Sequence, residues 1–179
     1  AEEADDRCLV ISDTSWPGYQ DAPRRVIEGY ATIFVEVDEA LDASGLPRPD
    51  VVAIPVGVGA FMAAAVRHYR SGPAGTSGAV IVGVEPATAN CVQVSVEAGR
   101  MVTVPGPHPS MMVGLNCGTP SLLAWPAVSQ GVDWFVSIDD AAAVSAMAEL
   151  ADAGVVAGET GAAGLAGLEA LAHDLPARA

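Results

Sequence analysis

Residues 55–64 read PVGVGAFMAA. The apolar run VVAIPV (51–56) leads in, two glycines stand one residue apart, and an alanine-rich run leads out. The order is strand, tight turn, helix, and glycine permits the positive φ or close packing that such a turn needs. Other stretches repeat the alternation. AVIVGV (79–84), WFVSI (134–138) and CLVIS (8–12) are short, nearly continuous apolar runs, as in strands of a parallel sheet buried on both faces. Val26, Ile27, Tyr30, Ile33, Phe34, Val37 and Leu41 recur at spacings of three and four, which gathers them on one face of a long helix. Gly45 and Pro47 end that helix. Further helices are predicted over 60–70, 87–97, 121–130, 140–152 (capped by Asp139) and 161–173, with a small strand at MVTV (101–104).

Alternating β and α units predict an α/β fold of three layers around a mainly parallel sheet. In such sheets ligands sit beyond the carboxyl ends of the strands. Asp13 and the glycine turn each follow a strand and Glu85 ends one, so all three are expected on one rim. Residues 105–120, rich in Gly, Pro and Met, read as a loop over that rim.

A length of 179 residues suits one domain. Half the residues are apolar and only 17% are charged, so disorder is not expected. The net charge of −14 disfavours nucleic acid and anionic membranes as partners. No uninterrupted apolar run is long enough to span a bilayer, and the acidic start AEEADDR is the reverse of a signal peptide; a cytoplasmic location is expected. Cys8, Cys91 and Cys117 form no CxxC, and His68, His108 and His173 show no metal-ligand spacing. No metal site is expected.

Three readings compete for PVGVGAF. It could be a plain strand-to-helix turn. It could be a dinucleotide fingerprint, with Glu85 as the acid ending the next strand; that reading fails at Met62, where the third glycine is required for close helix–strand approach. A P-loop is excluded, because no lysine follows the glycines. The third reading is a single phosphate held by successive amides at a helix N-terminus, where the macrodipole adds to the hydrogen bonds. Pyridoxal 5′-phosphate carries such a group.

Four stretches together resemble the diaminopropionate ammonia-lyases, pyridoxal-phosphate enzymes of the tryptophan-synthase-β fold type (fold type II). They are DTSWPGY (13–19) with EGYATIF (28–34), PVGVGAFMAA (55–64) running on to VGVEPATANC (82–91), SMMVGLNCGTPS (110–121), and GETGAAGLAGL (158–168). The last is shared with amino-acid dehydratases; DTSWPGY and GLNCGTPS are the more specific. The resemblance implies that the chain is part of the large domain of such an enzyme and that the amides of Gly57, Val58, Gly59, Ala60 and Phe61 cradle the cofactor phosphate. It implies that Asp13 assists proton transfer near the substrate's amino group and α-carbon, and that Glu159 lies near the pyridine ring. By itself Asp13 could instead be a turn residue bonding the Ser15 backbone, and Glu159 a first-turn acid on a helix dipole. Trp16 and Tyr19 could wall the pocket or simply pack. His108 and Ser110 could line its entrance or be solvated loop residues. Cys91 and Cys117 fall in matching stretches, so a reversible redox pair near the entrance is a further expectation of the resemblance.

The activity implied is α,β-elimination of 2,3-diaminopropionate, a small amino acid, to pyruvate and ammonia. That chemistry needs a lysine bonded to the cofactor, and the chain has eight arginines and no lysine. Arginine stays charged and is not a nucleophile. In the resembled enzymes the lysine precedes the DTSWPGY-like stretch and a further strand follows the GAAGLAGL helix. Residues 1–179 are therefore expected to be a single partial domain, a C-terminal portion inactive alone. A homodimer or a missing complementary segment is expected to cover its exposed sheet. Two alternatives stay open: a serine/threonine dehydratase-like eliminase, and a non-catalytic phosphate-binding or regulatory remnant.

Overall fold

A computed structural model describes residues 11–71 and 78–172. Among them the sheet has three parallel strands in the order β1 (Val51–Pro55), β2 (Val80–Pro86), β3 (Trp134–Ile138). Val51 pairs with Val80 and Pro55 with Val84, while Val82 pairs with Trp134 and Pro86 with Ile138. The register puts the carboxyl ends of all three strands on one rim. Most of the run CLVIS lies outside the described residues, and Ile11 and Ser12 are not in a strand.

Side chains alternate across β2 and so build two cores. Ile81 joins Ile54, Val56, Met62 and Val66 on one face, and Val82 and Val84 join Ile138, Ala143, Ala163 and Ala166 on the other. The first face is covered by α2 (Ala60–Ser71), against which α1 (Asp21–Ser44) and α4 (Trp125–Gly131) pack; the second by α6 (Glu159–Leu171), backed by α5 (Asp140–Asp152). This is the three-layer α/β arrangement expected. The short α3 (Cys91–Glu97) follows β2.

Local chemistry sets the element ends. Gly45 closes α1 at φ 65°, and the Asp139 carboxylate caps α5 by accepting from Ala142 N at 2.8 Å. The face predicted on α1 is only half used: Ile27 and Phe34 are buried, while Ile33 and Val37 stay 42% and 40% exposed. Three expectations shift. The helix expected from residue 87 starts at Cys91, because 87–90 turn with Ala89 N donating to Pro86 O. The helix expected from 121 starts at Trp125, and the last helix begins two residues early, at Glu159. MVTV is not a strand: Val102 N donates to Ser95 Oγ and Val104 N to Gly118 O, bonds that brace a loop and leave no ladder to extend.

Candidate cofactor site

The first intrahelical bond of α2 runs from Ala63 N to Gly59 O at 2.8 Å. The amides of Ala60, Phe61 and Met62 precede it and have no acceptor within the helix. They point the positive end of a twelve-residue helix toward the turn. Gly59 makes that turn at φ 93°, a conformation that strains any other residue. Gly57 is needed for a different reason. A Cβ there would stand 3.1 Å from Gly114 O and 3.2 Å from Cys117 Sγ, so the 105–120 loop packs directly on its backbone.

These residues form one wall of a cavity of about 390 Å³, within the range of small-molecule sites. Gly57, Val58, Gly59, Ala60, Phe61 and Met62 line it together with Asp13 and Thr14. Tyr30 and Ile33 enter from α1, Gly114, Leu115 and Cys117 from the loop, and Thr160 and Gly161 from the first turn of α6. Asp13 is thus brought to the glycine turn across 44 residues of sequence (57 − 13). It does not form the turn bond considered for it, because Ser15 N donates to Ser121 Oγ instead. Glu159 opens α6 half-buried, and its neighbours Thr160 and Gly161 face the cavity.

Charge in the cavity is asymmetric. Among the described residues no arginine lines it, and Asp13 is the one carboxylate that does. An anion must therefore be held by amides and the helix dipole, while the Asp13 end suits a protonated amine. The Val58 N–H differs from its neighbours: it faces the Cys117 sulfur, where it favours the thiolate. Burial outweighs that contact and raises the Cys117 thiol, with the negative charges of Asp13 and Glu85 adding to the effect. Cys91 donates its S–H toward Gly57 O at 3.8 Å, and burial pushes its thiol up to about 12. Both thiols are free.

Glu85, expected on the same rim, does not line the cavity. Its carboxyl group is fully buried at the end of β2 and accepts from Val92 N at 2.9 Å and Gln93 N at 2.7 Å. Burial pushes its pKa up to about 8, against the two N–H donors that favour the charged form. Trp16 and Tyr19 stack on each other at 4.5 Å across a tight turn and do not wall the cavity. His108 Nδ1 pairs with Thr88 O at 2.9 Å, and buried Ser110 donates to Asp140 Oδ1 at 2.6 Å. Neither lines the site, and both are structural braces. Among the described residues no three His, Cys, Asp or Glu side chains come together to hold a metal, and no helix is long and apolar enough to cross a membrane.

The lining residues missed from sequence were visible under other headings. Tyr30 and Ile33 belong to the apolar face of α1, which reads as core. Gly114 and Thr160 sit in stretches that carry the resemblance without a role of their own, and Cys117, expected near the entrance as half of a redox pair, lines the cavity wall.

A parallel α/β sheet with a bare-amide helix start at its carboxyl rim has the features that phosphate-bearing ligands use. Residues 2–179 match the family of pyridoxal-phosphate dependent enzymes, and the chain belongs to that family. Among curated proteins it is 31% identical over 175 residues to diaminopropionate ammonia-lyase of Salmonella typhimurium, a match covering 93% of this chain and 43% of that protein. It is 34% identical over 174 residues to the Escherichia coli K12 counterpart, covering 94% and 43%. Among solved structures, diaminopropionate ammonia lyase from Escherichia coli in complex with an aminoacrylate-PLP azomethine reaction intermediate superposes with a TM-score of 0.79 at 30% identity. That match covers 90% of this chain and 41% of the other. The fold is that of the fold-type-II pyridoxal-phosphate enzymes, and the chain spans less than half the length of the curated relatives it matches.

Proposed function

We propose that this chain is the cofactor-phosphate-holding part of a diaminopropionate ammonia-lyase, which converts 2,3-diaminopropionate and one water to pyruvate and two ammonia. The observation that carries the reading is the single cavity that joins the free amides of α2 to Asp13. The residues present fit pyridoxal 5′-phosphate. The amides of Gly57, Gly59, Ala60 and Phe61 would hold its phosphate, with Val58 contributing its carbonyl side to the frame and its N–H to Cys117. Tyr30, Ile33 and Leu115 offer apolar surface to a flat ring, and Glu159 precedes the cavity-lining Thr160 and Gly161 at the start of α6. When bound, the cofactor supplies the electron sink for the bond broken at the amino acid's α-carbon.

The chain's own residues bind, orient and move a proton. The α2 amides neutralise phosphate charge without a cation. Half-buried Asp13 holds the substrate ammonium and exchanges a proton at the substrate nitrogen or α-carbon. No lysine is present to bond the cofactor, so the isolated chain binds it without turning over substrate.

Titrating the chain with pyridoxal 5′-phosphate, followed by intrinsic fluorescence and by a pyruvate assay with diaminopropionate, tests this. Saturable binding without pyruvate is expected. Gly59→Ala should weaken binding about tenfold, because a side chain at φ 93° costs on the order of 1–2 kcal/mol and distorts the amides. Turnover by the isolated chain would refute the account, as would binding untouched by Gly59→Ala.

A further inference from the structure

We propose that Ser15 and Ser121 form a clamp that positions Asp13 on the cofactor cradle, and that Ser121 is a positioning residue for the amine the cavity receives. The inference rests on the cofactor reading above and adds a role to two residues outside the cavity wall. They come from the two most distinctive stretches, DTSWPGY and GLNCGTPS, and are 106 residues apart. Both are buried, at 4% and 0% exposure.

Their hydroxyls lie 2.8 Å apart. Ser15 N donates to Ser121 Oγ at 3.1 Å, and Leu123 N donates to Ser15 Oγ at 2.8 Å. One orientation of the hydroxyl protons completes a directional chain: Leu123 N–H to Ser15, Ser15 O–H to Ser121, and Ser121 O–H to Asp13 O at 3.5 Å. Bonds in such a chain polarise one another in the same sense. The backbone joins in, as Leu122 N donates to Ser15 O at 3.3 Å.

The other end of the clamp grips the cradle. Ser121 N donates to Val58 O at 2.8 Å, inside the glycine turn, and Ser121 O accepts from Trp125 N at the start of α4. One residue thus ties the Asp13 backbone on one side to the phosphate turn on the other. Short-range contacts shape the segment around Asp13: Thr14 N donates to Ser12 Oγ, Ser12 N to Tyr19 Oη, and Trp16 and Tyr19 form a bridge. Those fix its internal shape, and the serines tie it to the cradle.

The two functions of Ser121 separate by atom. Ser121→Ala deletes the Oγ bonds to Ser15 and Asp13 but keeps the amide bond to Val58. Inorganic phosphate, which needs only the cradle, should bind Ser121→Ala as it binds the parent chain. Pyridoxamine 5′-phosphate, which adds an amine for Asp13, should bind about tenfold more weakly, the scale of one charge-assisted hydrogen bond. Asp13→Asn should show the same loss, and the double variant should lose no more than Asp13→Asn alone. Ser15→Ala breaks the clamp from its other side and should reproduce the pattern; far-UV circular dichroism checks that each variant is folded.

Additive losses in the double variant would overturn the clamp. So would equal weakening of phosphate and pyridoxamine 5′-phosphate, or unfolding of both serine variants, which would make the pair a stability element only. If the parent chain binds neither ligand, the cofactor reading itself fails and the clamp's role goes with it.

Discussion

Glu85→Gln tests whether one buried carboxyl group makes this fold less stable as pH rises. In the folded chain the pKa of Glu85 is raised to about 8 from 4.5, chiefly because burial disfavours the charged form. Below pH 4.5 both states are protonated and the folded state keeps the full benefit of a neutral buried acid. Between 4.5 and 8 the unfolded chain has released the proton while the folded chain retains it. The unfolded state then binds fewer protons, so stability falls with pH by about 1.4 kcal/mol per unit. Over pH 5 to 7 that is a loss on the order of 3 kcal/mol, a large part of a typical domain's stability. Glutamine cannot titrate. It accepts from Val92 N or Gln93 N but not from both, which costs about 1 kcal/mol at every pH. Urea unfolding of both proteins at pH 5, 6, 7 and 8 reads the difference, in which contributions from other titrating groups cancel. The parent chain should be the more stable at pH 5 and lose that lead by pH 7 to 8. A constant difference across the range would refute the reasoning, and a lead that grows with pH would mean that Glu85 is charged in the folded chain.

Two further outcomes follow from side chains on the same frame. Burial raises the Cys91 thiol from 9.0 to about 12, so iodoacetamide at pH 8 should alkylate it in the reduced native chain about a thousandfold more slowly than an ordinary cysteine; rapid labelling by mass spectrometry without denaturant would contradict the packing against Gly57. Asp139→Ala removes the carboxylate that accepts from Ala142 N at 2.8 Å and should cost about 1 kcal/mol, or roughly 3 °C in melting temperature. Asp139→Asn, which keeps an acceptor, should recover most of it.

The strands and helices were legible wherever a local pattern was strong. WFVSI (134–138) is a strand over its full length, and the helix over 140–152 starts at its Asp139 cap, because a β-branched run and an N-cap act through nearest neighbours. Residues 87–90 and 101–104 were misread for the opposite reason. Their backbone bonds go to a turn carbonyl, a serine hydroxyl and a loop carbonyl, partners that no periodicity encodes.

The same division runs through the site. By itself the sequence determined that a glycine turn links a strand to a helix, that Met62 bars the dinucleotide geometry, and that no lysine is available to bond a cofactor. Those are properties of residue type and local spacing. Only the tertiary structure decided that Asp13 and Thr160 share a cavity with the α2 amides, and that Glu85 turns away from it to cap α3. It alone showed that Ser15 meets Ser121 across 106 residues. Buried polar groups must find partners wherever the packed chain brings them, and proximity of that kind is set by how the layers stack rather than by position along the sequence.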